Sequence, residues 1–186
     1  MKLLVIVVHP DLNQSRANRV FVDELKQDSH IIVRDLYREY PDWRIDVEKE
    51  QALLLQFDRI VFQFPFYWYS CPPLLKKWFD DVFTYGWAFG TGGDHLLGKT
   101  FLTATTIGGL EEGYKAGGES RYTIDELLRP IEQTVVRCNG TWLSPFTVYN
   151  ANAVTDADLM QEARSYREYI QRPQEVLLPG TAATPN

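Results

Sequence analysis

DRIVFQFPFYWYSCPPLLKKWFDDVFTYG, residues Asp58–Gly86, is the stretch that decides the fold. Ile60–Phe64 is an apolar run broken only by Gln63 and reads as a buried strand. It stops at Pro65, which has no N–H to give a sheet ladder. Phe66, Tyr67, Trp68 and Tyr69 follow as an aromatic loop. Pro72 and Pro73 then open a helix, where proline is tolerated in the first turn. Leu74, Leu75, Trp78, Phe79, Val82 and Phe83 recur within it at helical spacing. In an α/β sheet, the loop leaving the carboxyl end of a strand is where ligands bind. An apolar, aromatic loop there suits a flat heteroaromatic ring better than a phosphate. Helical periodicity explains Trp78, Phe79 and Phe83 as core. It does not explain Phe66–Tyr69, because four consecutive aromatics cannot all face one core and loops lie at the surface. A ring-binding or subunit-contact loop is the better reading.

Outward from this stretch the chain alternates strand and helix. Lys2–Val8 is a continuous apolar run, the mark of a strand buried on both faces. His9-Pro10 ends it, and Ser15 is a good N-cap for a helix reaching about Lys26. His30–Leu36 reads as a second strand, Tyr37–Asp46 as a loop, and Val47–Phe57 as a helix with Glu48 and Glu50 in its first turn. After the organising stretch, Gly86–Gly98 reads as a glycine-rich loop and Thr100–Thr105 as strand four. Thr106–Tyr122 reads as a second long glycine-rich loop of the kind that is usually functional. Ile124–Cys138 is a helix, Thr141–Tyr149 strand five and Asp156–Ile170 a helix. The expected unit is one domain over 1–172, with 173–186 a flexible tail carrying Pro173, Pro179 and Pro185. This order predicts an α/β, doubly wound, five-stranded parallel sheet with helices on both faces and strand order 2-1-3-4-5.

The bulk of the sequence excludes several classes. At 186 residues and 45% hydrophobic it can bury a sizeable core. With a net charge of −6 and no block of Lys and Arg, nucleic-acid binding is not expected. Met1–Val8 is too short for a signal peptide, and no run approaches a transmembrane span. Cys71 and Cys138 lie far apart without a C-x-x-C, which fits a reduced cytoplasm. There is no P-loop, no G-x-G-x-x-G after strand one and no G-x-S-x-G elbow, and the histidines do not cluster, so no metal is expected.

In the expected order the loops leaving strands one, three and four form one rim. The first, His9–Asn18, feeds a helix start. There the orphan amides, the Ser15 hydroxyl, the Asn18 amide and the charge of Arg16 suit a phosphate, though plain capping by Ser15 explains the same residues. His9 is read equally as a turn-forming hydrogen-bonder and as a phosphate or ring-edge contact. Cys71, just before a helix, is read as packed and inert. Tyr114, in the long loop after strand four, is read either as a surface aromatic or as an active-site wall whose hydroxyl can donate to a carbonyl oxygen.

Taken together, several motifs make the chain resemble the flavodoxin-like NAD(P)H:quinone oxidoreductases over about residues 2–170. They are His9-Pro10 with Ser15-Arg16-Ala17-Asn18, Tyr40-Pro41-Asp42, and Pro65-Phe66-Tyr67-Trp68-Tyr69-Ser70 running on to Pro72-Pro73-Leu74-Leu75-Lys76. Gly86-Trp87-Ala88, Gly98-Lys99 and Thr106-Ile107-Gly108-Gly109 complete the set. The branch it resembles most includes the ancillary proteins of glutathione-regulated potassium-efflux systems. The resemblance implies an FMN cofactor, with FAD as the alternative, and NAD(P)H as co-substrate. It implies that Ser15, Arg16, Ala17 and Asn18 hold the phosphate and that His9 touches the cofactor. Pro65, Phe66, Tyr67, Trp68 and Tyr69 would flank the ring. Thr106, Ile107, Gly108 and Gly109 would present backbone groups to its polar edge. Ile107 departs from the threonine usual there, so any hydroxyl bond from that position is lost. The implied reaction carries hydride from NAD(P)H through flavin to a quinone-like acceptor, with Tyr114 as the candidate catalytic residue. The implied assembly is a homodimer, and the expected location is the cytoplasm, with a peripheral position at the inner face of the membrane as the alternative. A regulatory subunit on a potassium-efflux antiporter is the alternative, and an electron-transfer flavodoxin is disfavoured by the long loop after strand four.

Overall fold

β1 (Leu3–Val7), β2 (Ile31–Asp35), β3 (Arg59–Pro65) and β4 (Thr100–Thr106) form the body of a parallel sheet. The computed structural model describes residues 1–179. Strand order is β2-β1-β3-β4-β5, as the alternation of elements predicts. Every residue of β1, β3 and β4 is buried, which is why these strands read as near-continuous apolar runs. Alternation divides them between two layers. Leu4, Ile6, Phe62, Phe64 and Phe101 face α3 (Val47–Leu54), α4 (Pro73–Val82) and α5 (Ile124–Arg137). Leu3, Val5, Val7, Val61 and Leu102 face α1 (Arg16–Leu25) and α6 (Asp156–Tyr169).

The helices start where the sequence supplies caps. Ser15, Asp46 and Thr155 each accept a first-turn amide, and Thr123 with Glu126 forms a full capping box on α5. α4 has no side-chain cap, and Pro72 and Pro73 take that place by fixing the backbone of its entry.

Three local expectations are corrected. The loop expected over Tyr37–Asp46 begins with a short helix, α2 (Leu36–Glu39), because Asp35 caps the Arg38 amide. The single strand expected over Thr141–Tyr149 is two, β5 (Thr141–Trp142) and β6 (Phe146–Val148), both paired with β4. Between them the chain leaves the ladder at Ser144-Pro145, where the Ser144 amide donates to Leu177 O instead and proline has no amide to give. The tail expected from Pro173 onward folds as α7 (Gln174–Leu177), with Leu177 buried in the α1–α6 layer, so an apolar anchor outweighs the prolines. The rest of that expectation, residues 180–186, lies outside the described residues.

Two charged side chains, Glu50 and Arg59, are fully buried among the described residues. Glu50, on α3, is fully buried and accepts from Arg34 Nε (3.0 Å), Tyr40 Oη (2.6 Å) and Trp78 Nε1 (3.0 Å). An unpaired buried carboxylate would be costly, but this one has a cation and two neutral donors. It ties β2, the loop after α2, α3 and α4 into one unit. The same contacts push the Tyr40 hydroxyl up to about 12, mainly through burial and then through the adjacent carboxylate.

Candidate functional site

The carboxyl edges of β1, β3 and β4 bring the three expected loops together around a cleft of about 530 Å³. His9, Ser15, Arg16, Ala17 and Asn18 line it from the first loop, Pro65, Phe66 and Tyr67 from the second, and Thr106 and Gly108 from the third. Ala151 and Asn152, after β6, close its fourth side. Neither is singled out in the sequence, where strand five reads as running through Tyr149 and the residues behind it carry no motif. Position alone, at the carboxyl edge of the last strand, was the available signal.

At the phosphate end, Ser15 is nearly buried and its Oγ accepts the Asn18 amide at 3.2 Å. The Arg16 and Ala17 amides belong to the first turn and have no intrahelical acceptor. They meet the cleft at the positive end of the α1 dipole, an anion-binding arrangement. Two expected contacts are corrected. The Arg16 guanidinium is already engaged, with Asp156 Oδ1 (2.7 Å) and the carbonyls of Val154 and Ala151. It therefore clamps the loop before α6, where it was expected to add free charge. The Asn18 side chain points inward. Its Nδ2 donates to Thr106 Oγ1 at 3.1 Å, and its carbonyls accept from Gln63 Nε2. Asn18 positions the helix start on β3 and β4.

His9 is half-buried. Its Nδ1 accepts the Asp11 amide at 3.1 Å, so the neutral ring carries its proton on Nε2. Desolvation lowers its pKa further below the ordinary histidine value than the Asp11 contact raises it, so the ring is neutral at pH 7. It stands edge-on to Tyr67, 6.5 Å between centroids, joining the first and second loops.

The aromatic loop turns sharply. Tyr67 and Ser70 exchange backbone hydrogen bonds of 3.0 and 2.9 Å, and Trp68 and Tyr69 sit at φ of 46° and 62°. That region is unfavourable for bulky residues, at a cost of about 1–3 kcal/mol each. The turn throws Trp68 outward, 92% exposed, with Tyr69 beside it half exposed. Of the four expected ring-flanking aromatics, only Phe66 and Tyr67 line the cleft, and Trp68 points away from it within the protomer.

In the third loop, Thr106 and Gly108 line the cleft, but Ile107 does not. Its side chain is buried in the core and its amide donates to Val148 O at 2.8 Å, because β6 extends the pairing of β4. The backbone contact expected from Ile107 is thus lost as well as the hydroxyl. Gly108 and Gly109 leave tight room for a side chain. A Cβ at Gly108 would stand 3.1 Å from Asn152 Nδ2, and one at Gly109 would stand 3.1 Å from the Tyr114 ring. Tyr114 closes a 3-10 turn, Glu111–Tyr114, and packs against Phe66 (6.2 Å) and Tyr149 (5.9 Å). Cys71 is packed and burial pushes its thiol up, so it is not an activated nucleophile. Among the described residues no cluster of His, Cys, Asp or Glu could hold a metal, and no helix is long and apolar enough to cross a membrane.

The arrangement fits a flavin mononucleotide: free amides at a helix start, an aromatic side wall, and a glycine backbone that lets a ring come close. Comparison with known proteins leads to the same place. Residues 1–170 match the Flavodoxin_2 family, described as having a flavodoxin-like fold. The chain is 50% identical over 171 residues to the uncharacterized NAD(P)H oxidoreductase YrkL of Bacillus subtilis, covering 92% of this chain and 98% of that one. It is 44% identical to the glutathione-regulated potassium-efflux system ancillary protein KefG of Pectobacterium atrosepticum, covering 92% and 94%. Among solved structures, a chain described as a thermophilic tryptophan halogenase from Streptomycin violaceusniger superposes with a TM-score of 0.90 at 51% identity, covering 92% and 99%. General stress protein 14 of Treponema denticola, in complex with FMN, superposes with a TM-score of 0.86 at 37% identity, covering 91% and 98%. An NADPH-quinone reductase from P. pentosaceus gives 0.85 at 32% identity, covering 93% and 99%. The chain belongs to the Flavodoxin_2 family.

Proposed function

We propose that this chain, as a member of that family, is an FMN-dependent oxidoreductase that carries two electrons from NAD(P)H to a quinone-like acceptor. The observation that carries the reading is the joining, in one cleft, of the α1 start, the Phe66–Tyr67 wall and the Gly108 backbone. FMN held there would supply the redox chemistry, a two-electron relay between the nicotinamide and the acceptor. The residues of the chain bind, orient and exclude water. Ser15 and the Arg16 and Ala17 amides hold the phosphate. His9 offers its Nε2–H to the cofactor. Phe66 and Tyr67 limit the ring's freedom, and each flat reactant is held near it, so proximity is the main catalytic term. NAD(P)H leaves as NAD(P)⁺, and the quinone gains two electrons and two protons, the second proton drawn from solution. The Tyr114 hydroxyl, close to Gly109, is the donor we assign to that proton.

The exposed, strained Trp68–Tyr69 turn supports a two-fold partner that covers this edge, and the site is read as a cytoplasmic homodimer's. Docking on a potassium-efflux antiporter is a second reading, supported by the similarity to KefG, and the two are compatible.

Turnover of the FMN-loaded protein with NADH, NADPH and a soluble quinone tests the first reading. Quinone-dependent nicotinamide oxidation with ping-pong kinetics is expected, and FMN-loaded protein that oxidises neither nicotinamide overturns it. Co-purification with the antiporter tests the second, and its absence from detergent-solubilised membranes would count against docking.

A further inference from the structure

Next to the cofactor cleft, and sharing Gly108 with it, is a second cleft of about 660 Å³. Its floor is the backbone of Gly108 and Gly109, and its walls are Tyr69, Leu110 and Tyr114. Such a space suits a flat ring. Among the described residues, the groups lining it that are charged at neutral pH are Glu112 and Glu119, both exposed. No salt bridge neutralises either among the described residues. Lys115 and Arg121, on the same segment, are not part of the lining. We infer that this cleft selects acceptors by charge: it admits flat rings without negative charge and turns away anionic ones, with Glu112 and Glu119 as the specificity-determining residues. This rests on the acceptor reading above and names the class of acceptor.

The physics is that of two fixed like charges at the mouth of a half-open space. A sulfonate or carboxylate on a ring in this cleft would share it with both carboxylates, and over the Debye length of about 8 Å at physiological salt screening is incomplete. An uncharged quinone feels nothing comparable, and neither does the uncharged dihydronicotinamide ring. With the dielectric close to that of water at this rim and screening at physiological salt, the two carboxylates together discriminate by about two- to threefold.

The test uses FMN-loaded protein and its Glu112→Gln/Glu119→Gln variant, with naphthoquinone against naphthoquinone sulfonate. The quantity read is the ratio of kcat/KM for the two quinones, which cancels any loss of folded or loaded protein. The ratio should favour the uncharged quinone in the parent, fall about two- to threefold in the variant, and shrink in the parent as salt rises to about 1 M, where the Debye length is about 3 Å. Calorimetric binding of naphthol against naphthalenesulfonate gives the same comparison without turnover, and the sulfonate should gain affinity in the variant. Reduction of neither quinone would remove the acceptor reading and this inference with it. Reduction of both with the same ratio in both proteins, or unchanged sulfonate binding, would overturn the inference alone.

Discussion

At the scale of single residues, Tyr114 and His9 carry different duties, and their variants should separate. Tyr114→Phe keeps the ring against Phe66 and Tyr149 and removes only the hydroxyl. FMN binding and NAD(P)H-dependent bleaching of the flavin absorbance should be retained. The quinone-dependent return should slow, by at most about 10²–10⁴-fold, the usual loss with a general acid, and by less where water substitutes. Stopped-flow absorbance reads both phases, and an unchanged return would leave Tyr114 as a wall. His9 predicts a pH effect. Burial lowers its pKa in the fold below the ordinary 6.5, so between the two values the unfolded chain binds the extra proton. Stability contributed by the neutral ring is therefore present above about pH 6.5 and lost as pH falls through the depressed value. His9→Asn can still accept the Asp11 amide but does not titrate, so the Tm difference between parent and variant should change across that window and be constant above it. The capping of α1 by Ser15 was legible in the sequence because it follows from a local rule, a serine before an amphipathic run. The inward turn of Asn18 and the engagement of Arg16 were not. Their partners, Thr106 and Asp156, are 88 and 140 residues away, and nothing local announces them.

Among the elements, the Glu50 cluster and the aromatic turn each make a claim. Glu50 joins β2, α3 and α4 and the loop between them from inside. Glu50→Ala leaves the Arg34 guanidinium, whose side chain is only 12% exposed, without its main carboxylate partner. It should cost about 3–5 kcal/mol in urea unfolding, the scale for breaking a buried pair, and a loss under 1 kcal/mol would mean the pair is dispensable. Trp68 argues the opposite case. It is nearly bare, so in an isolated protomer Trp68→Gly loses little packing and relieves a left-handed backbone that glycine accepts freely. If the turn covers a partner, the same change removes a buried aromatic anchor and should weaken dimerisation by 2 kcal/mol or more, about 30-fold. Sedimentation across a dilution series decides, and unaltered association would exclude Trp68 from the contact. The alternation of strands and helices was readable because buried strands and amphipathic helices have different periods. The break at Ser144-Pro145 and the docking of α7 were not, since both depend on Leu177 meeting the α1–α6 layer. An anchor of one apolar residue leaves no pattern in a sequence.

For the whole molecule, the strand order explains why the site exists. In the order 2-1-3-4-5 the carboxyl ends of β1, β3 and β4 are neighbours, so three loops far apart in the chain share one rim. That much followed from the alternation of elements and the handedness of crossovers. The second cleft and its two carboxylates did not, because the path of the loop after β4 is set by contacts of Tyr114 with Phe66 and Tyr149 that have no local signature. The central claim is that the α1 start holds the phosphate of FMN while the rest of the rim holds its ring. The measurement that reaches it most directly is a fluorescence titration of the purified chain with FMN and with riboflavin, which lacks the phosphate, repeated on Ser15→Asp. Aspartate still caps α1 but sets a negative charge against the phosphate. The parent should bind FMN at least 10-fold more tightly than riboflavin, since hydrogen bonds to a charged group contribute about 1.5–3 kcal/mol. Ser15→Asp should lose most of that preference while still binding riboflavin. Equal affinity for the two ligands in the parent, or an undiminished preference in the variant, would contradict the account.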